Sequence, residues 1–208
     1  MKAAGLIAVA GQSSRMGAFK PLLPIHGKPM IAHTADVFLR AGVADLYVVV
    51  GKSGEDVIRA LSGYAAQFLW NRDFANTEMF ASVQLGLSAI HEAGKFDAAF
   101  LLPGDMPAVE PQVLRSLLDT LETSDYDVVF PSDGTRRLHP PLIRASVFDA
   151  LIDYSGEDGL RGAFRTLGSR IGYVVTGEAG CTMDVDTPED YERARAFLEH
   201  RESEVKGE

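Results

Sequence analysis

Three short segments hold most of the residues able to do chemistry. The first, AVAGQSSRMGAFK at residues 8–20, sets Gly11 and Gly17 among two hydroxyls, Ser13 and Ser14, and two fixed cations, Arg15 and Lys20. Glycine lets a backbone take positive φ and approach a ligand closely. Successive amides in such a loop form a concavity that attracts anions. With two cations beside it, the natural ligand is a polyphosphate. The loop is neither a Walker loop, for no glycine precedes Lys-Ser or Lys-Thr at that spacing, nor a G-x-G-x-x-G dinucleotide turn. A plain strand-to-helix connection with surface cations is the alternative on chemistry alone.

The second segment, AAFLLPGDMP, ends an apolar run in a Pro-Gly turn from which Asp105 emerges. A carboxylate at a strand end can hold Mg²⁺, which takes one or two protein carboxylates with phosphate oxygens and water. It can equally serve the turn, where Asp is common. The third, CTMDVDTPEDY, places Asp184 and Asp186 two apart. On a strand both would face one side, and they would repel each other unless a positive group stood near. A divalent ion would answer that repulsion. Asp186 can also be read as a turn residue before a helix with Thr187 as N-cap, Pro188 at N1 and Asp190 at N3.

The elements that must carry these segments follow from hydrophobic periodicity. Ala4–Ala10, Leu46–Val50, Ala98–Leu102 and Val128–Phe130 are short, near-continuous apolar runs, as in strands buried on both faces. Between them the pattern predicts helices over 29–41, 54–62, 78–92 and 110–122. In the first, Ile31, Ala35, Phe38 and Leu39 form one apolar stripe. Gly42 and Gly63 stand where helix C-caps are expected, and Pro111 suits a first helical turn. Strand and helix in alternation indicate an α/β fold with a mostly parallel sheet. Beyond residue 130 the turn-rich PSDGTRRLHPP predicts a loop or hairpin. Short helices over 145–153 and 159–167, strands over 171–175 and 181–185, and a last helix from 188 complete the chain. A single domain over 1–200 with a frayed tail at 201–208 is expected.

The composition bounds what such a site can serve. The chain has 208 residues, 46% hydrophobic and 24% charged, which excludes disordered, collagen-like and coiled-coil classes. Its net charge of −9 argues against nucleic acid or an anionic membrane as partner, since both need clustered cations. Yet residues 1–40 carry Lys2, Arg15, Lys20, Lys28 and Arg40 against a single acid, Asp36. That asymmetry suits one small anion held at one place, or is chance. Cys181 is the only cysteine, so neither an internal disulfide nor a cysteine zinc cage is open to the chain, which fits a reducing cytoplasm. The start, MKAAGLIAVAG, imitates a secretory leader, but a buried strand explains it as well, and a cytoplasmic location is expected.

Residues 8–20 resemble the nucleotide-binding signature of the MobA-like nucleotidyltransferases, L-A-A-G-x-x-x-R-M-G-x-x-K. Ala10, Gly11, Arg15, Met16, Gly17 and Lys20 fall in register, while Ala8-Val9 departs from Leu-Ala. The acidic residue of the family's strand-end loop corresponds to Asp105, with Pro107 two places on. DVDTPED resembles the family's C-terminal metal-side segment. RRLHPPLI and GEDGLRGAF resemble the G-H-P and G-D-x-G-A-R motifs of the molybdenum cofactor cytidylyltransferase branch, with Leu138 in place of the glycine and Leu160 where alanine is common.

The resemblance implies a Rossmann-like three-layer α/β sandwich of the nucleotide-diphospho-sugar transferase type. It implies a Mg²⁺-dependent nucleotidyltransferase that moves a nucleoside monophosphate onto a phosphorylated acceptor and releases pyrophosphate. Arg15 and Lys20 would be catalytic, holding the triphosphate. Ala10, Gly11, Gln12, Ser13, Ser14, Met16, Gly17, Asn71 and Ser82 would bind nucleotide. Asp105 with Asp184 or Asp186 would hold the metal, and Arg137, His139 and Arg161 the acceptor, with Arg136 nearby. Relatives that transfer guanylyl groups carry Gly-Gly where this chain has Ala10-Gly11, so CTP is expected over GTP, with molybdopterin as acceptor. Transfer to a sugar phosphate or another small phosphorylated alcohol is the alternative enzyme. A non-catalytic nucleotide-binding or cofactor-delivery module is the alternative outside enzymes.

Overall fold

The computed structural model describes residues 1–9, 19–75, 77–168 and 170–206, with side chains as far as Arg201. The expectations for Ala10, Gly11, Gln12, Ser13, Ser14, Arg15, Met16 and Gly17 lie outside the described residues.

The leader-like start is an interior strand of the main sheet. β1 (Ala3–Val9) is buried along its whole length, between β4 (Leu46–Val50) and β6 (Ala98–Pro103), parallel to both. β5 (Ala66–Trp70) closes one edge, parallel to β4. On the other side come β8 (Leu142–Arg144), β7 (Val128–Ser132) and β9 (Ile171–Val175), giving a seven-stranded sheet of order β5-β4-β1-β6-β8-β7-β9. Only β8 runs antiparallel to its neighbours in this sheet. A separate two-stranded hairpin, β2 (Pro24–Ile25) with β3 (Lys28–Pro29), leads into the first helix.

The period of two along β1 sorts the helices into layers. Ile7 and Val9 face a core built with α1 (Met30–Arg40), α2 (Gly54–Ala60) and α4 (Pro111–Glu122), represented by Phe38, Val57 and Leu117. Leu6 and Ala8 face the opposite core, built with α3 (Met79–Glu92), α5 (Phe148–Ile152) and α6 (Gly159–Thr166), represented by Leu87, Phe148 and Phe164. The result is the expected three-layer α/β sandwich with a mostly parallel sheet. Each fully buried Leu, Ile or Phe contributes about 1.5–3 kcal/mol. α3 lies so close to β1 that a Cβ on Gly86 would stand 2.2 Å from Leu6 Cδ1. A third, smaller core joins Ile25 and Met30 to Val185 and to Ala194 and Leu198 of α7 (Pro188–Lys206).

Several expectations need correction. The segment 181–185 is not a strand: a 3-10 helix over Ala179–Thr182 leads into irregular backbone, so the same-face argument for Asp184 and Asp186 fails. Leu39 is 42% exposed rather than part of the α1 stripe. Gly42 does take positive φ, 88°, after α1, whereas Gly63 is not among the glycines that do. The excursion after β7 contains β8 and inserts into the sheet, and β5 and the β2–β3 hairpin were not anticipated.

Candidate functional site

β6 delivers Asp105 to the carboxyl edge of the sheet, where ligands of open α/β folds sit. Gly104 N–H donates to the Ala8 carbonyl at 3.2 Å, so the turn carrying Asp105 is tied to the end of β1. The segment carrying Asp184 and Asp186 is held in place in three ways. Val185 N–H donates to the Asp105 carbonyl at 3.0 Å, and the Val185 side chain is fully buried in the third core. Gly180 passes so near the 108–109 backbone that a Cβ there would stand 1.9 Å from the Ala108 carbonyl oxygen. Downstream, Asp190 Oδ2 accepts from Thr187 N–H at 2.8 Å and from Asp186 N–H at 3.2 Å, while Thr187 Oγ1 accepts from Asp190 N–H at 3.1 Å. This is the capping arrangement that the sequence predicts for α7, and it fixes the backbone under Asp186.

Lys20 opens a one-turn 3-10 helix, Lys20–Leu22, with Pro21 buried beside it. Its ammonium donates to Asp105 Oδ2 at 3.0 Å and to Asp186 Oδ1 at 2.7 Å, with 12% of the side chain exposed. Burial by itself would lower the Lys20 pKa. The hydrogen bond to Asp186 and the charge of Asp105 outweigh it and hold the pKa above the ordinary lysine value. The positive group that two neighbouring carboxylates require is therefore Lys20. Because one small cation touches both carboxylates at once, Asp105 and Asp186 form a donor pair of the kind Mg²⁺ accepts. Asp184 lines the same space without an ion pair to Lys20 among those resolved. Among the described residues no group of three or more His, Cys, Asp and Glu converges to hold a metal by itself.

These carboxylates border a cavity of about 600 Å³ that also reaches Arg137, His139 and Arg161, so the expected metal and acceptor residues do come together. A second, wider cleft of about 960 Å³ shares Arg136, Arg137, His139 and Arg161 with it and extends to Phe130 and Tyr173. Arg137 is held there by its aromatic neighbours. Its guanidinium lies 5.1 Å from the centre of the Phe130 ring and 5.7 Å from that of Tyr173, and Nε donates to Tyr173 Oη at 3.1 Å. Asp133 organises the loop before it, accepting from Thr135 Oγ1 at 2.7 Å and from Arg136 N–H and Nε at 2.9 Å. The Thr135 hydroxyl and these N–H groups hold the Asp133 carboxyl far below the usual range. Burial pulls His139 below the usual histidine pKa, against the attraction of Asp105 and Asp184. Its Nδ1 is buried with no hydrogen-bond partner among the described residues.

Asn71 and Ser82 meet each other, but mainly as structure. Asn71 Nδ2 donates to Ser82 Oγ at 3.0 Å and to Thr77 Oγ1 at 3.1 Å, and Oδ1 accepts from Asp73 N–H at 3.1 Å. They line a cleft of about 60 Å³ beside Ala8, next to the larger cavity. Sequence reasoning missed Met79 and Phe80, which line the cavity at the start of α3. It also missed Gly180 and Val185, which hold the two carboxylate segments together, and the Phe130–Tyr173 pair. Apolar residues at a helix start or in a strand resemble core, so they give no separate signal. The charge asymmetry resolves into separate pairs: Lys2 with Asp45, Lys28 and Arg40 with Asp36, and Lys20 at the site.

The MobA-like NTP transferase domain matches residues 5–171. The bifunctional protein GlmU of Thermus thermophilus is 35% identical over 118 residues, 55% of this chain and 25% of that protein. The CMP-5'-(3-aminopropyl)phosphonate synthase of Streptomyces rubellomurinus is 32% identical over 169 residues, 76% of this chain and 25% of that protein. The chain thus spans about a quarter of the length of these curated relatives. Among solved structures, a nucleotidyl transferase from Methanothermobacter thermautotroptrophicus superposes with a TM-score of 0.80 at 26% identity, covering 96% of this chain and 99% of that one.

Proposed function

The chain belongs to the MobA-like NTP transferase domain family, and from that premise we propose that it moves a nucleoside monophosphate from a triphosphate onto a phosphorylated acceptor. A phosphate oxygen of the acceptor attacks the α-phosphorus in line, the bond from that phosphorus to the bridging β-phosphate oxygen breaks, and pyrophosphate leaves. No covalent intermediate with the protein is required, so the chain's task is positioning and charge stabilisation. The observation that carries this reading is the convergence of Lys20, Asp105 and Asp186 at the edge of an arginine-bearing cavity.

Lys20 and Arg15 neutralise the triphosphate, aided by the amides of residues 10–17. Asp105 and Asp186 are the pair that would hold Mg²⁺, with Asp184 beside them. When bound, the ion supplies charge neutralisation at the phosphate oxygens. Arg137 and Arg161 hold the acceptor phosphate, with the buried His139 beside them. Cytidine is the favoured nucleoside, on the resemblance by which guanylyl-transferring relatives carry Gly-Gly where this chain has Ala10-Gly11, and molybdopterin the favoured acceptor. The relative named for a CMP–phosphonate product supports the cytidine reading. It also favours a second one, in which the acceptor is a small phosphorylated or phosphonate compound.

Titration calorimetry in Mg²⁺ separates the nucleotides: tighter CTP than GTP binding is expected, and the reverse order would overturn the cytidine assignment. Incubation with α-labelled CTP tests the acceptor. Label must pass to molybdopterin on the first reading, or to a small phosphate or phosphonate on the second.

A further inference from the structure

We propose that Lys20 is an internal counter-ion that keeps divalent metal out of the carboxylate pair until a triphosphate draws the ammonium away. The proposal rests on the reading that Asp105 and Asp186 are the metal-holding pair. It adds an order of assembly to that reading, with metal entry conditional on nucleotide.

The argument begins with space. The Lys20 ammonium is within hydrogen-bond distance of both carboxylates, 3.0 Å from Asp105 Oδ2 and 2.7 Å from Asp186 Oδ1. An ion bound to the same two oxygens would need that same volume, so ammonium and metal exclude each other. Charge acts in the same direction. A divalent ion beside a retained ammonium would be repelled at short range, in a setting where Lys20 is only 12% exposed and solvent screening is reduced.

The surroundings suit an exchange. The Lys20 backbone is anchored, since Phe19 packs on the core, Pro21 is buried and Leu23 N–H donates to the Lys20 carbonyl at 3.0 Å. Only the flexible four-carbon stem has to move. The carboxylates do not depend on the ammonium for their position. The Val185–Asp105 backbone bond at 3.0 Å and the Asp190 cap under Asp186 hold the two segments together regardless. A triphosphate offers the ammonium replacement anionic oxygens, so its arrival removes the reason for Lys20 to stay. Without nucleotide, the ammonium already offsets one of the pair's two negative charges, so the pair has less to gain from a metal.

Mn²⁺ binding without nucleotide, followed by electron paramagnetic resonance, tests this on the full chain. The wild-type protein is expected to bind Mn²⁺ weakly and Lys20→Met at least tenfold more tightly. Lys20→Arg, which keeps the charge, should stay as weak as wild type. The tight binding of Lys20→Met should vanish when Asp105→Asn is added. Thermal melting establishes that each variant is folded. If methionine disrupts the fold, Lys20→Gln, uncharged and polar, makes the same comparison. Equal or weaker Mn²⁺ binding in a folded, uncharged variant would overturn the proposal. Because no turnover is measured, that result is distinct from a failure of nucleotidyl transfer, which would appear in the wild-type protein as absence of pyrophosphate.

Discussion

At the scale of single residues, the site depends on where a few charges are allowed to be. On the proposed function, Lys20 and Asp105 each act through electrostatics in a partly buried setting, where losing one stabilising contact typically costs about 3–4 kcal/mol of activation free energy, by analogy with oxyanion donors. Lys20→Ala and Asp105→Ala should therefore each lower kcat by about 100-fold or more while melting as folded proteins. Near-normal turnover in either would remove it from the mechanism. Cys181 shows the opposite use of burial. Its thiol is pushed up to about 12, chiefly by desolvation and then by Glu178 and Glu110. The folded state therefore keeps the proton that an unfolded chain begins to lose near pH 9. The sign follows: the thiol's contribution to stability is complete below pH 9 and is lost as pH rises from there toward 12. Thiol-reactive reagents at pH 8 should label the native protein far more slowly than the urea-unfolded one. Equal rates would contradict the burial.

At the scale of elements, two segments distant in sequence are brought together by close backbone contact. Gly180 and the Ala108 carbonyl leave no room for a methyl group, and the listener to that contact is Asp186, six residues on. Gly180→Ala is expected to push the Asp186 segment off the Asp105 turn. Overpacking of this kind typically costs about 1–3 kcal/mol, so the melting temperature should fall and turnover should drop more steeply than stability. Unchanged activity would mean that the contact does not set the carboxylate spacing. What was legible beforehand follows the same division. The buried runs of β1, β4 and β6, the helix alternating with them and the cap at Thr187–Asp190 carry local signals in spacing and residue type. The three residues of β8 are too short for a periodic signal. In 181–185, alternating apolar and polar residues imitated a strand, whereas Val185 N–H pairs with the Asp105 turn instead. The bond from Lys20 to Asp186 spans 166 positions, and no local pattern reports it.

At the scale of the whole molecule, an acidic chain of net charge −9 holds a local group of cations. Among the described residues, each N-terminal cation is matched to a neighbouring acid: Lys2 to Asp45, Lys28 and Arg40 to Asp36, Lys20 to Asp105 and Asp186. The arginines of the cavity, in contrast, come from the loop after β7 and from α6. The sheet order places β1 and β6 side by side, so the carboxyl end of β1 lies next to the turn that carries Asp105. The arginine side of the cavity follows from the strands beyond them. On the proposed function, substrate charge is divided along one edge of the fold, triphosphate toward β1 and acceptor toward β7 and α6. That division is tested most directly by pyrophosphate release from the wild-type protein, measured in Mg²⁺ across a panel of triphosphates and phosphorylated acceptors. The account predicts release that requires both a triphosphate and an acceptor, matches nucleotidyl transfer one for one, and is greatest with CTP. Absence of pyrophosphate with every pair, despite triphosphate binding, would contradict it and favour a module that binds nucleotide without transferring it.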